Sequence, residues 1–164
     1  MTDQSTDFLA STWMLADDAL LKQGADWQKA GHGLVVAFVV RTWGSSPRQV
    51  GSIMLVRDDV EVAGSVSGGC VEGAVIAAAL ELIKAGGSRL LDFGVADGTA
   101  WDIGLSCGGQ ISILIMAVSD DGFPPQLLSD AGKSLELRQP VSLQIPVKGG
   151  AARKSDRSLA ASVL

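Results

Sequence analysis

Hydrophobic residues fall along the chain in two rhythms. Leu34-Val-Val-Ala-Phe-Val-Val40 is apolar at every position and rich in β-branched side chains, as is Gln110–Val118 (QISILIMAV) apart from its first residue and one serine. Continuous apolar runs of this length predict strands buried on both faces. Between them the period changes: Val71, Ala74, Val75, Ala78, Ala79 and Leu82 repeat at three and four residues, one face of a helix that ends at Gly86-Gly87. Ser52–Arg57 and Glu61–Ser65 flank Asp58-Asp59-Val60 and read as a hairpin. Residues 7–30 read as one helix, with Phe8, Trp13, Leu15, Leu20 and Leu21 among acids and alanines, closed by Gly31 and Gly33. Arg89–Phe93 reads as a strand, Thr99–Ile103 as a short turn or helix, and Gln126–Leu137 as a weaker helix. Val141–Val147 follows, an expected edge strand bounded by Pro140 and Pro146. Gly149–Leu164 is small, polar and basic, an expected mobile tail. No internal repeat is visible, and the alternation predicts a mixed α/β fold: a single mixed β-sheet containing a hairpin, covered by helices.

Composition narrows the chemistry. The 164 residues fit one domain and include one histidine and two cysteines. A tetrahedral zinc site needs four such ligands, so one chain cannot build it from these, nor can it build a disulfide framework. A nucleophilic triad would have to use His32, which sits between two glycines and reads as a helix-end residue. Thirteen basic against 18 acidic residues give a formal charge of -5, which disfavours nucleic acid as a partner. The apolar runs fall far short of the ~18 residues that span a bilayer, so no membrane segment is expected. The first seven residues carry acids and no Lys or Arg, unlike a secretory signal, and a cytoplasmic location is expected.

Glycine is unevenly placed. Thirteen of the 20 glycines lie between Gly44 and Gly109. They gather in three loops next to strands: Gly44-Ser-Ser-Pro-Arg48, Gly64-Ser-Val-Ser-Gly-Gly-Cys-Val-Glu72 and Gly104-Leu-Ser-Cys-Gly-Gly109. The second runs straight into a helix, so its amides and the helix dipole offer an anion site; a tight helix-on-sheet turn is the plainer reading. Gly64 and Gly69 have Walker A spacing, but Cys70-Val71 stands where Lys-Ser/Thr is required, and nucleotide hydrolysis is not expected. Cys70 falls in the first helical turn, where the dipole favours a thiolate, while Glu72 can accept from the free amides but opposes that thiolate by its charge. An inert small hydrophobe is the alternative for Cys70, set against the repeat of the arrangement at Cys107. Arg48 is either a planar donor fork for phosphate or a solvated turn residue. Trp43 and Trp101 either stack on a flat heterocycle or, as most tryptophans do, pack in the core. Asp97 and Asp102 read as site residues or as caps.

Taken together and in order, the three loops resemble the N-terminal domain of the xanthine dehydrogenase accessory factor family, XdhC/CoxI, from about Leu34 to Val118. The string Gly-Ser-Val-Ser-Gly-Gly-Cys-Val-Glu is its specific part. A family domain is expected over 1–148 and a tail over 149–164; family members commonly add a C-terminal Rossmann-like domain, and here the expectation departs from the family in having none. It implies a non-catalytic chaperone that binds the molybdenum cofactor (molybdopterin), protects it during sulfuration and passes it to an apo molybdenum hydroxylase of the xanthine or carbon monoxide dehydrogenase type. The implied cofactor-binding residues are Ser46, Arg48, Ser67, Gly68, Gly69, Cys70, Glu72, Cys107, Gly108 and Gly109. Cys70 and Cys107 are thiols that the resemblance places near the cofactor's molybdenum, with no metal held by protein ligands alone. The implied partners are the hydroxylase client, a cysteine desulfurase and a separate Rossmann-like chain, while the high apolar content and small size of the chain lead to the expectation of a homodimer. Two other readings stand beside it: a sulfur-transfer enzyme using Cys70, and a bridging subunit with no ligand of its own.

Overall fold

The computed structural model describes residues 8–12, 18–46, 48–94 and 109–155. The two apolar runs form the central strands. Strand β2 spans Leu34–Trp43, and the later strand β6 spans Gln110–Ala117. With β3 (Ile53–Arg57), β4 (Val62–Gly64) and β5 (Ser88–Phe93) they make a five-stranded sheet in the order β4-β3-β2-β6-β5. Every pairing in it is antiparallel. The mixed α/β class, the hairpin within the sheet and the helical cover agree with the pattern of the sequence. The hairpin turn closes through Val60, which takes a positive φ of 73°.

Both faces of the sheet are covered, which is why its central strands carry no polar alternation. Val35, Ala37 and Val39 of β2 pack with Val75, Ala78, Ala79 and Leu82 of α2 (Glu72–Ala85) in one core layer. Val36, Phe38 and Val40 point the other way, into a second layer with Leu21 of α1 (Asp18–Lys29) and Leu128 of α3 (Pro125–Glu136). Phe38 stacks on Phe123 there, with ring centroids 6.0 Å apart. Trp27 of α1 is buried, and the Arg57 guanidinium lies 5.0 Å from its ring centroid.

Beside the expected sheet lies a second, three-stranded one of order β1-β7-β8, from β1 (Phe8–Thr12), β7 (Ser142–Pro146) and β8 (Arg153–Lys154). It corrects two expectations. Residues 7–30 are not one helix: Phe8–Thr12 form a strand paired antiparallel with Ser142–Pro146, and the helix starts at Asp18. β7 is not an edge but the middle strand, flanked on both sides. Pro146 is its last residue, where a missing amide leaves the interior ladder intact. Part of the expected tail is structured as well, since β8 pairs with Leu143 and Gln144, and Ala152 is buried with its amide on the Gly122 carbonyl. Thr99–Ile103 lies outside the described residues.

Candidate functional site

Strand register puts the glycine loops at one end of the five-stranded sheet. Trp43, the last residue of β2, pairs with Gln110, the first of β6. Gly64, the last of β4, pairs with Met54 near the start of β3, and Phe93, the last of β5, pairs with Ile111. The loop after β2, the loop after β4 and the chain entering β6 at Gly109 therefore all leave from the same end.

The first and third loops touch. A Cβ on Gly109 would run into the carbonyl oxygen of Ser45 and would lie 3.0 Å from that of Trp43, so only glycine allows the two backbones to come this close. Ser46 stays in the loop by donating its hydroxyl to the Arg48 carbonyl at 2.9 Å, and Arg48 itself is exposed. Cys107 and Gly108, with Trp101, Asp97 and Asp102, lie outside the described residues.

The second loop is built around Glu72, the first residue of α2. Val66 and Val71 are buried in the core layer beneath, and Gly68 and Gly69 take positive φ of 77° and 121°, which turns the chain around the carboxylate. Glu72 Oε1 accepts from the Ser65 hydroxyl at 2.7 Å and from the amides of Val66, Ser67 and Gly68 at 3.3, 2.9 and 3.1 Å. Glu72 Oε2 accepts from the Gly69 amide at 2.8 Å and from the Ser67 hydroxyl. Partial burial pushes the Glu72 pKa up, but the Ser67 and Ser65 hydroxyls and the backbone amides outweigh it and hold the carboxyl at about 2. The loop amides of Val66, Ser67, Gly68 and Gly69 are thus taken by the chain's own carboxylate, which corrects the anion-site expectation for this loop. Ser67 is buried and also accepts from the Val71 amide at 3.1 Å. Gly68, Gly69 and Cys70 form the exposed tip of this tightly bonded loop.

A cleft of about 280 Å³ opens at the same end, lined by Arg41, Trp43, Asp92, Phe93, Gln110, Ile111 and Ser112. The pairing of β2 with β6 shifts between Val39 and Arg41, leaving Val40 as an extra residue. Such a bulge re-aims the side chains that follow it. Arg41 and Trp43 consequently share a sheet face with Ser112 and Asp92, through the register pairs Arg41–Ser112 and Asp92–Ser112. Trp43 is 67% exposed rather than packed in the core. Sequence reasoning passed over Arg41, Asp92, Gln110 and Ser112, although three of them are polar interruptions of apolar strands, a visible signal. His32, by contrast, is remote from this end; its Nδ1 meets Asp58 Oδ1 at 2.9 Å beside the hairpin turn.

Among the described residues Arg57 pairs with Asp59 and Glu61, Arg89 with Glu81, and Lys22 with Asp26 and Glu136. Arg41 and Arg48 have no carboxylate partner among the described residues. No cluster of three or more His, Cys, Asp or Glu able to hold a metal ion occurs among the described residues, and no described helix is long and apolar enough to cross a membrane.

Residues 27–94 match the XdhC and CoxI family, which takes in the first two glycine loops and stops short of the third. The chain is 35% identical over 133 residues to the molybdenum cofactor insertion chaperone PaoD of Escherichia coli (strain K12), covering 79% of this chain and 40% of PaoD. It is 31% identical over 109 residues to the uncharacterized protein YqeB of the same organism, covering 66% of this chain and 19% of YqeB. In fold it is similar to a crystal structure described as a xanthine dehydrogenase from Bacillus halodurans, with a TM-score of 0.59, 20% identity, and coverage of 87% of this chain and 45% of that one. The chain thus spans less than half the length of each of these relatives.

Proposed function

From a chain that carries the XdhC and CoxI family segment over residues 27–94, we propose an accessory protein that binds the molybdenum cofactor and delivers it for insertion into a molybdenum enzyme. One observation carries this reading: the loops that hold the family's glycine strings leave a single sheet end, beside a cleft lined by an exposed indole and by Arg41, which has no carboxylate partner among the described residues. PaoD, a relative at 35% identity, is named for the same role.

The cargo has a phosphate, a flat pterin and a soft molybdenum–dithiolate centre. Arg48 with the Ser46 loop suits the phosphate. The loop of Ser67, Gly68, Gly69 and Glu72 acts as a rigid pedestal that presents the Cys70 thiol, and Gly109 fixes the neighbouring loop against Ser45. Cys107 and Gly108 belong to the same proposed site by their sequence alone. The client is a hydroxylase of the xanthine or carbon monoxide dehydrogenase type. Support of sulfuration, with a cysteine desulfurase as sulfur donor, a separate Rossmann-like partner, a homodimer and a cytoplasmic location complete the proposal. The role is one of binding rather than catalysis.

The test is purification from cells that make the cofactor, followed by oxidation to the fluorescent pterin. Pterin in stoichiometric amount is expected; no pterin, together with no binding of added cofactor, overturns the reading. The exposure of Cys70 on an ordered loop favours a second reading, in which its thiol relays sulfur as a persulfide. Loss of sulfido insertion in Cys70→Ala with cofactor binding retained supports it, and an unchanged insertion rate rejects it.

A further inference from the structure

Asp92, Ser112 and Arg41 stand in a row across β5, β6 and β2, on the face whose deeper positions are Leu114, Met116 and Phe38. Three polar side chains at the end of an apolar layer need a reason, and their arrangement is specific. Ser112 is only 6% exposed and donates its hydroxyl to Asp92 Oδ1, which fixes the carboxylate and leaves most of its acceptor sites open. Asp92 and Arg41 lie two strand spacings apart, roughly 9.5 Å. They do not pair with each other, and the cleft lies along them. Trp43, two residues beyond Arg41 on the same face, stands at the rim with most of its indole in solvent.

A fixed carboxylate, a flat indole and a fork of cationic donors require a ligand with adjacent N–H donors, an aromatic plane and an anionic substituent. The geometry points to a cleft that reads a fused bicyclic ring by its 2-amino-4-oxopyrimidine edge, and we assign it the pterin of the cargo. Asp92 accepts from the 2-amino group and the adjacent ring N–H, Trp43 stacks on the ring, and Arg41 pairs with the anionic substituent at the far end. Ser112 is a positioning residue that holds Asp92. This inference rests on the proposed cofactor binding and adds to it the residues that recognise the ring. Guanine has the same edge, so the ring system itself must be distinguished.

The experiment uses the full chain and three probes: pterin-6-carboxylate, lumazine-6-carboxylate (a 2-oxo group in place of the 2-amino group) and GMP, with binding followed by calorimetry. Wild type is expected to bind the pterin roughly tenfold or more tightly than the lumazine, the usual weight of hydrogen bonds to a charged group. Asp92→Asn, whose side-chain oxygen still accepts from Ser112, should lose that preference, because its amide NH₂ faces the 2-amino group. Arg41→Ala and Trp43→Ala should weaken both pteridines alike and leave their ratio unchanged. Equal binding of pterin and lumazine by wild type overturns the inference without any variant, as does an unchanged ratio in Asp92→Asn. Tighter binding of GMP than of the pterin also overturns the assignment. If wild type carries pterin from cells and Asp92→Asn carries as much, the cleft assignment fails while the chaperone reading stands. If wild type carries none and binds no added cofactor, both fall.

Discussion

Glu72 shows how one side chain sets a local structure. Its carboxylate gathers two hydroxyls and four amides, so this shape of the loop favours the ionised group. Its folded pKa of about 2 lies below the model-compound value of 4.5, so the folded state binds fewer protons there. The stabilisation is fully present above pH 4.5 and is lost as pH falls towards 2. Glu72→Gln should therefore lower the melting temperature at pH 7, and the gap from wild type should narrow across that window, as calorimetry at several pH values will show. Gly109 is a second such residue. Gly109→Ala places a methyl against the Ser45 carbonyl and should cost about 1–3 kcal/mol in a denaturant titration, the usual penalty of overpacking. The sequence shows Glu72 as a first-turn acid able to accept from free amides, but not as the centre of the loop before it, and Gly109 looks like any loop glycine.

At the scale of elements, legibility follows the range of the contacts. α2 is visible because its buried face repeats within its own 14 residues. Leu82→Ala, which empties part of the layer between α2 and the sheet, should destabilise by about 2–5 kcal/mol by chemical denaturation. β1 is misread for the complementary reason. Phe8–Thr12 lie just before a helix in the chain, and what makes them a strand is pairing with Ser142–Pro146, far along the chain. The bulge after Val39 is equally hidden, since Leu34–Val40 reads as one unbroken run. Yet the bulge decides which face receives Arg41 and Trp43, and so whether the cleft exists.

At the scale of the whole molecule, the proposed anionic cargo would meet a chain of net charge -5, so its binding would rest on local rather than overall electrostatics. Arg41 and Arg48, which have no carboxylate partner among the described residues, lie at the loop end, whereas Arg89 lies near the opposite end of the sheet, paired with Glu81. The double variant Arg41→Ala/Arg48→Ala should weaken cofactor binding by roughly tenfold or more, on the scale of charge-assisted hydrogen bonds. Arg89→Ala, which makes the net charge more negative as well, should leave binding within about twofold. Equal losses in the two proteins would show that net charge, not position, governs the affinity. What the sequence by itself determined is the set of elements whose hydrophobic period is internal to them, together with the glycine strings that carry the family resemblance. The tertiary structure alone decided the antiparallel strand order, the second sheet, the capture by Glu72 of the loop amides ahead of α2 and the gathering of the loops at one end. Periodicity records which side of an element is buried. Partner and register depend on the competition among strands distant in the chain, which only the folded molecule resolves.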